Sequence, residues 1–136
     1  MEHETHVAIN SDADIVAARQ RGRTMAKELG FSTSDQALIA TAISEVARNI
    51  VQYAIRGEII LAVVQEKNRK GLVVVAQDEG PGIPDIELAL RDGYSTTKSL
   101  GLGLPGARRL TDEFEIVSEV GKGTTVRMKK WIARDG

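Results

Sequence analysis

Two polar residues one helical turn apart, Glu45 and Asn49, interrupt a segment whose remaining pattern is apolar. With Ala42 set at zero and about 100° per residue, Leu38 falls near −40°, Val46 near +40°, Tyr53 near +20°, Asn49 near −20° and Glu45 near −60°. Both polar side chains therefore lie against or inside the stripe that should be buried. Taken alone, a Glu snorkelling from the rim and an Asn capping a stray backbone group explain them simply. A carboxylate beside a buried amide nevertheless needs a partner, and a cation or proton donor brought by a ligand is the least costly one.

Two further stretches carry chemical potential. Asp78-Glu79-Gly80-Pro81-Gly82 follows the apolar run that ends at Ala76. A turn explains the glycines and Pro81. It does not explain an Asp where a buried strand emerges, a position from which a carboxylate can accept from an amino group such as that of adenine while a nearby glycine lets a flat ring approach the backbone. Gly101-Leu102-Gly103-Leu104-Pro105-Gly106 matches G-x-G-x-x-G in form but follows the polar stretch Asp92 to Ser99 rather than a strand, so the dinucleotide-binding reading fails on context. A Walker A loop lacks its Gly-Lys-Ser/Thr, and the chain is too short for a protein-kinase glycine-rich loop and its domain. What remains is a glycine-rich turn feeding a helix N-terminus, a place that favours phosphate, or a plain connector. Lys98 and the threonines before it have the composition of a lid over that phosphate.

The elements that must position these residues follow from periodicity. Val7 to Ile9 reads as a short strand, and Asp12 or Asp14 as the N-cap of a helix to Leu29 carried by Ile15, Ala18, Gly22, Met25, Ala26 and Leu29. Gly30 is its stop. Ser32-x-x-Asp35 resembles a capping box, with Phe31 as a staple, for a second helix to about Ala54. Residues 58–66 and 71–77 read as a hairpin. From Asp78 to Gly106 the chain holds six glycines and all three prolines, with a short helix at 85–90. A helix at 104–111 and strands at 113–120 and 124–131, joined by Gly121-Lys122-Gly123, complete the order. The expected class is α+β, a two-layer sandwich with a mostly antiparallel mixed sheet and helices on one face, formed by 1–136 as a single domain.

Composition removes several alternatives. The formal net charge is −1, 42% of residues are hydrophobic and there are no cysteines. Disulfide frameworks, zinc–thiolate sites and cysteine nucleophiles are excluded. The charge balance argues against a nucleic-acid backbone binder, and Phe31, Tyr53, Tyr94, Phe114 and Trp131 are too few for a base-stacking platform. The longest apolar run, Ile59 to Val64, spans six residues against the roughly 20 of a membrane helix. With an acidic start, this places the chain in the cytoplasm, without a membrane partner. Arg19, Arg21, Arg23 and Lys27 read as a solvated face or as a surface for an acidic partner. His3 and His6, near the terminus, read as disordered surface rather than a metal site.

In order and spacing, Glu45-x-x-x-Asn49, Asp78-x-Gly80-x-Gly82, Gly101-x-Gly103 and Gly123-Thr124-Thr125 resemble the N, G1, G2 and G3 boxes of the GHKL ATPases. With no room for further domains, the chain resembles the stand-alone bacterial serine kinases of anti-sigma switches. The stretches Asp14 to Gln20, Ala42 to Ile50 and Gly101 to Gly106 resemble those of stressosome switch kinases. The resemblance implies the Bergerat ATP-binding fold, ATP and Mg²⁺. It implies Asn49 as the Mg²⁺ ligand, Asp78 on the adenine amino group, Gly80 and Gly82 shaping the base pocket, and Thr124 supporting it through water. Gly101 and Gly103 would cradle phosphate, Lys98 would contact it from the lid, and Glu45 would be the general base. Ser99 stands where many members have Gly, and Arg48 and Tyr53 differ from the commonest choices. The implied substrate is a serine or threonine on a STAS-domain protein, and the implied second partner a PP2C-type phosphatase that the released kinase activates. The alternative is a nucleotide-regulated anti-sigma or phosphatase-binding module without significant kinase activity.

Overall fold

The computed structural model describes residues 4–54, 56–83 and 103–132. Its elements are β1 (Glu4–Ile9), α1 (Asp12–Leu29), α2 (Thr33–Tyr53), β2 (Gly57–Glu66), β3 (Arg69–Asp78), α3 (Gly103–Leu110), β4 (Glu113–Glu119) and β5 (Gly123–Trp131). The strands form one five-stranded sheet in the order β1-β2-β3-β5-β4. All four pairings among the described strands are antiparallel, so the expected parallel component of a mixed sheet is not present in them.

The helices cover one face because their apolar stripes match it. Ile15, Ala18, Gly22 and Ala26 are the buried positions of α1. On α2 they run from Ile39 through Ala42, Ile43, Val46 and Ala47 to Ile50. These pack with Ile59 and Leu61 of β2, Leu72, Val74 and Ala76 of β3, and Val126 and Met128 of β5. Each fully buried Ile or Leu contributes about 2 kcal/mol. A side chain at Gly22 would run into the Ile43 side chain, so this glycine sets how closely α1 approaches α2.

Helix ends depart from expectation in instructive ways. The N-cap of α1 is Ser11, with no side-chain cap, and Asp14 instead reaches back: its Oδ2 accepts from the Asn10 N–H at 2.8 Å and the Ser11 hydroxyl at 3.4 Å. Gly30 closes α1 in a left-handed conformation, and the Phe31 N–H donates to the Ala26 carbonyl at 3.0 Å. Ser32 does cap α2, accepting from Asp35 N–H at 3.1 Å. Phe31 is buried in the core, but the residue where a staple partner should stand is Gln36, whose amide donates to the Phe31 carbonyl.

β1 starts at Glu4, earlier than the apolar residues required, because its outward side chains bond across the sheet. Glu58 of β2 accepts from Gln77 Nε2 at 3.0 Å and contacts His6 Nδ1 at 3.1 Å, while Glu4 lies 3.2 Å from His6 Nε2. His6 is thus part of a strand, not frayed surface; His3 and the helix expected at 85–90 lie outside the described residues.

The site-bearing feature of the sheet is the β3–β5 register, which pairs Asp78 with Thr124. It depends on Gly123, at φ +108°, where any Cβ would collide with the Asp78 carbonyl oxygen.

Two outcomes follow from this architecture. Gly123→Ala should destabilise the fold by about 3 kcal/mol and lower Tm by roughly 10 °C in calorimetry; an unchanged Tm would show that the β3–β5 contact is not fixed by this glycine. The hydrogen bond to Glu58, then that to Glu4, raises the His6 pKa above its ordinary 6.5, whereas Gln77 and then His6 lower that of Glu58 from 4.5. The His6 contribution to stability is full below pH 6.5 and lost as pH rises through its raised value; that of Glu58 is full above pH 4.5 and lost on acidification through its lowered value. The Tm difference between wild type and His6→Ala should therefore be greatest between pH 4.5 and 6.5 and smaller at pH 8.

Candidate functional site

Glu45 is one of three polar residues with buried side chains among the described residues, only 2% exposed. Its partner was expected to arrive with a ligand. The chain provides one: Arg48 Nη1 donates to Glu45 Oε1 at 2.7 Å, across an i,i+3 step of α2. That spacing puts the two side chains on one helix face, and a charge-assisted bond of this length is among the stronger interactions available to a buried carboxylate. Arg48 itself is 36% exposed, so the pair joins the protein interior to the surface of the helix.

Asn49, the neighbour of Arg48, is half-buried. No hydrogen bond from its carboxamide occurs among the described residues. Tyr53 is 52% exposed although the wheel put it near the buried stripe, since it ends α2 where the helical layer stops.

At the end of β3, Asp78 is oriented by backbone. Its Oδ1 accepts from Gly80 N–H at 2.9 Å and from Thr124 N–H at 3.3 Å. Its Oδ2 accepts no hydrogen bond among the described residues, which leaves a fixed acceptor at the mouth of the turn. The turn lies against the C-terminal end of α2. A Cβ at Gly80 would overlap Ala54, and one at Gly57 would collide with the Gln77 carbonyl oxygen and crowd Asp78 Cβ and Ile50 Cγ2, each 3.0 Å from it. Asp78 and the Asn49–Ile50 turn are therefore brought to the same end of the molecule.

The glycines divide by what their missing side chains admit. At Gly82, φ is +80° and a Cβ would meet the Glu119 carbonyl, so the chain's own hairpin uses the space. Gly103 opens α3 at φ +67°, and among the described residues a Cβ there would come no nearer than 4.0 Å, to Pro105 Cδ. Leu104 and Ala107 bury α3 against the core. Lys98, Ser99 and Gly101, together with the lid reading, lie outside the described residues.

Thr124 is 5% exposed, and its hydroxyl lies 2.8 Å from Ser118 Oγ. Ser118, which sequence reasoning missed, also accepts from Ile83 N–H at 2.7 Å and donates to the Gly123 carbonyl at 3.2 Å. A hydroxyl has one proton, so Thr124 is the donor in the shared contact and retains only acceptor capacity for a water or ligand. A serine in a strand gives no sequence signal for that role. Arg48 was also passed over, although its i,i+3 distance from Glu45 was readable.

No group of three or more His, Cys, Asp or Glu that could hold a metal occurs among the described residues. The basic side chains Arg19, Arg21, Arg23 and Lys27 are all exposed along α1. Among the described residues no helix is long and apolar enough to cross a membrane.

Comparisons with known proteins bear on this arrangement. Residues 9–130 match the histidine kinase-like ATPase domain family. The chain is 53% identical over 132 residues to the serine/threonine-protein kinase RsbT of Bacillus subtilis, covering 97% of this chain and 99% of that one. It is 32% identical over 124 residues to an anti-sigma F factor of Caldanaerobacter subterraneus, covering 87% and 85%. Among solved structures, the RsbU and RsbW domains of Rv1364c from Mycobacterium tuberculosis share its fold with a TM-score of 0.64 at 22% identity, over 98% of this chain and 34% of that one. The chain belongs to the histidine kinase-like ATPase domain family, within the group represented by that serine/threonine-protein kinase and the anti-sigma F factors.

Proposed function

We propose that this chain, 1–136 acting as one domain in the cytoplasm, is an ATP-dependent protein serine/threonine kinase of a bacterial partner switch. Its substrate is a serine or threonine on a STAS-domain protein, and in its released state it activates a PP2C-type phosphatase. The kinase name and near-complete coverage of the 53% identical relative support the activity. The observation that carries the reading is Asp78, whose Oδ1 is held by two backbone N–H groups while Oδ2 accepts no hydrogen bond among the described residues. Such an acceptor suits the exocyclic amino group of adenine.

The residues present fit a magnesium–nucleotide. A lone carboxamide oxygen at Asn49, with no metal-binding carboxylate cluster among the described residues, suits an ion ligated mostly by phosphate and water rather than a protein cage. When bound, that ion neutralises charge on the triphosphate. Asn49 would hold it through Oδ1. Gly103, whose positive φ opens α3, would offer its backbone N–H to phosphate oxygens, and the family resemblance assigns Gly101 and Lys98 to the same phosphates. Gly80 and Gly82 keep the turn under the base closed against Ala54 and Glu119. Thr124 holds Asp78 by its N–H and offers a lone pair to a bridging water.

Glu45 accepts the proton of the incoming hydroxyl as the γ-phosphoryl group passes to that oxygen in line. Its burial excludes competing water, and its place on a rigid helix fixes the angle of attack. The relatives named anti-sigma F factors support a second arm for the experiment, a nucleotide-set binding module.

Incubation with labelled ATP and a STAS-domain protein tests the reading: label on a serine or threonine is expected, whereas binding without label would favour the module. Glu45→Gln, which keeps a hydrogen-bond acceptor for Arg48, should lower phosphotransfer roughly 100- to 10,000-fold with ADP affinity unchanged; full activity would remove Glu45 as base. Asp78→Asn should weaken ATP and ADP alike by at least about tenfold in calorimetric titration, because an amide presents a donor to a donor.

A further inference from the structure

The row of side chains where the sheet meets Ile50 and Ala54, at the C-terminal end of α2, is unlike the rows behind it. Successive strands pair Gly57 with Asp78, Asp78 with Thr124 and Thr124 with Ser118. Two residues further along each strand, the same face carries Ile59, Ala76, Val126 and Ile116, all in or against the core. Because strand side chains alternate between faces, Asp78, Thr124 and Ser118 stand side by side on the helix-covered face as its terminal polar row. The hydrogen bonds of this row run in one direction. The Ile83 N–H can only donate and the Gly123 carbonyl can only accept, and they lie 2.7 and 3.2 Å from Ser118 Oγ. The serine proton therefore goes to the carbonyl, and the 2.8 Å contact with Thr124 uses the threonine proton. Thr124 Oγ1 keeps lone pairs only. Beside it, Oδ2 of the Asp78 carboxylate also accepts no hydrogen bond among the described residues.

We propose that Ser118 is a positioning residue that sets base specificity: by taking the Thr124 proton it fixes Thr124 Oγ1 as an acceptor, and this selects adenine over hypoxanthine. The inference rests on the nucleotide reading of Asp78 above. A water on Thr124 donates one proton to Oγ1 and keeps the other for a ring nitrogen with a lone pair. Adenine supplies that lone pair at N1 and an amino group at C6 for Asp78. Hypoxanthine carries N1–H and a C6 oxygen instead, so donor faces donor at N1 and acceptor faces acceptor at C6. Asp78 sets the C6 mismatch, and Ser118, acting through Thr124, sets the one at N1. Without the serine hydroxyl the Thr124 proton turns to the water, which then accepts from both Thr124 and N1–H.

The test titrates wild type, Ser118→Ala, Ser118→Thr and Thr124→Val with ADP and with inosine diphosphate, both with Mg²⁺, by calorimetry. Wild type should prefer ADP, and Ser118→Ala should lower that preference roughly tenfold, the size expected when one buried hydrogen-bond mismatch is relieved. Ser118→Thr, which keeps the hydroxyl, should hold the wild-type preference within about twofold. Thr124→Val should lose as much preference as Ser118→Ala, and the double variant should lose no more, because both substitutions act on one oxygen. A serine that only supports the fold would, when replaced, lower Tm and weaken both nucleotides alike. An unchanged preference in Ser118→Ala, or additive losses in the double variant, would overturn the inference while leaving the nucleotide reading intact. Should Ser118→Ala not fold, Thr124→Val leaves Ser118 bonded to Ile83 and Gly123 and answers by the same ratio, an unchanged preference again being the contrary result. Absence of ADP binding by wild type would instead overturn the nucleotide reading and this inference with it.

Discussion

A carboxylate withdrawn from water inside a helix interface needs a partner, and the Glu45–Arg48 pair meets that need on α2 itself. Desolvating an unpaired carboxylate costs several kcal/mol, comparable to a good part of the stability of a domain this size. The partner lies one turn away on the same helix, so the pair forms as soon as α2 does and does not wait for tertiary structure or ligand. Burial of the stripe from Ile39 to Ile50 then places Glu45 at a fixed depth and angle. The general base proposed at Glu45, held in this way, would need little reorganisation when substrate arrives.

The second constraint is the sheet register. Antiparallel pairing of β3 with β5 puts Thr124 opposite Asp78, and the Thr124 N–H then fixes the carboxylate that the turn through Gly80 also holds. Ser118 ties the turn at Ile83 to the Gly123 carbonyl, so the far hairpin braces the same corner. The C-terminal end of α2 closes it through Ala54 and Ile50. Asp78, Glu45 and Asn49 therefore lie on or against a single helix, and their relation is set by core packing rather than by loops.

Much of this was legible in the sequence because it is periodic. The spans of α1 and α2, the β2–β3 hairpin and the closing strands follow from apolar spacing, and the inward position of Glu45 from its angle on the wheel. Features that depend on specific polar pairing were harder to read. β1 runs back to Glu4 because His6 bonds Glu58 and Glu4, not because its residues are apolar. Asp14 acts as an acceptor from inside the first turn of α1 rather than as its N-cap. Gly80 and Gly82 suggested space for a ring, yet their immediate neighbours are Ala54 and Glu119. Arg48 looked like a departure from a family pattern until its guanidinium was found on the buried carboxylate.

The central claim is that this corner, Asp78 with Asn49 and the start of α3, receives a magnesium-bound nucleotide. The most direct measurement is an amide NMR titration of the chain with ADP and Mg²⁺. The account predicts saturable shifts concentrated at Gly80, Thr124, Asn49 and Gly103. Saturable shifts located elsewhere, with these four amides unmoved, would contradict it.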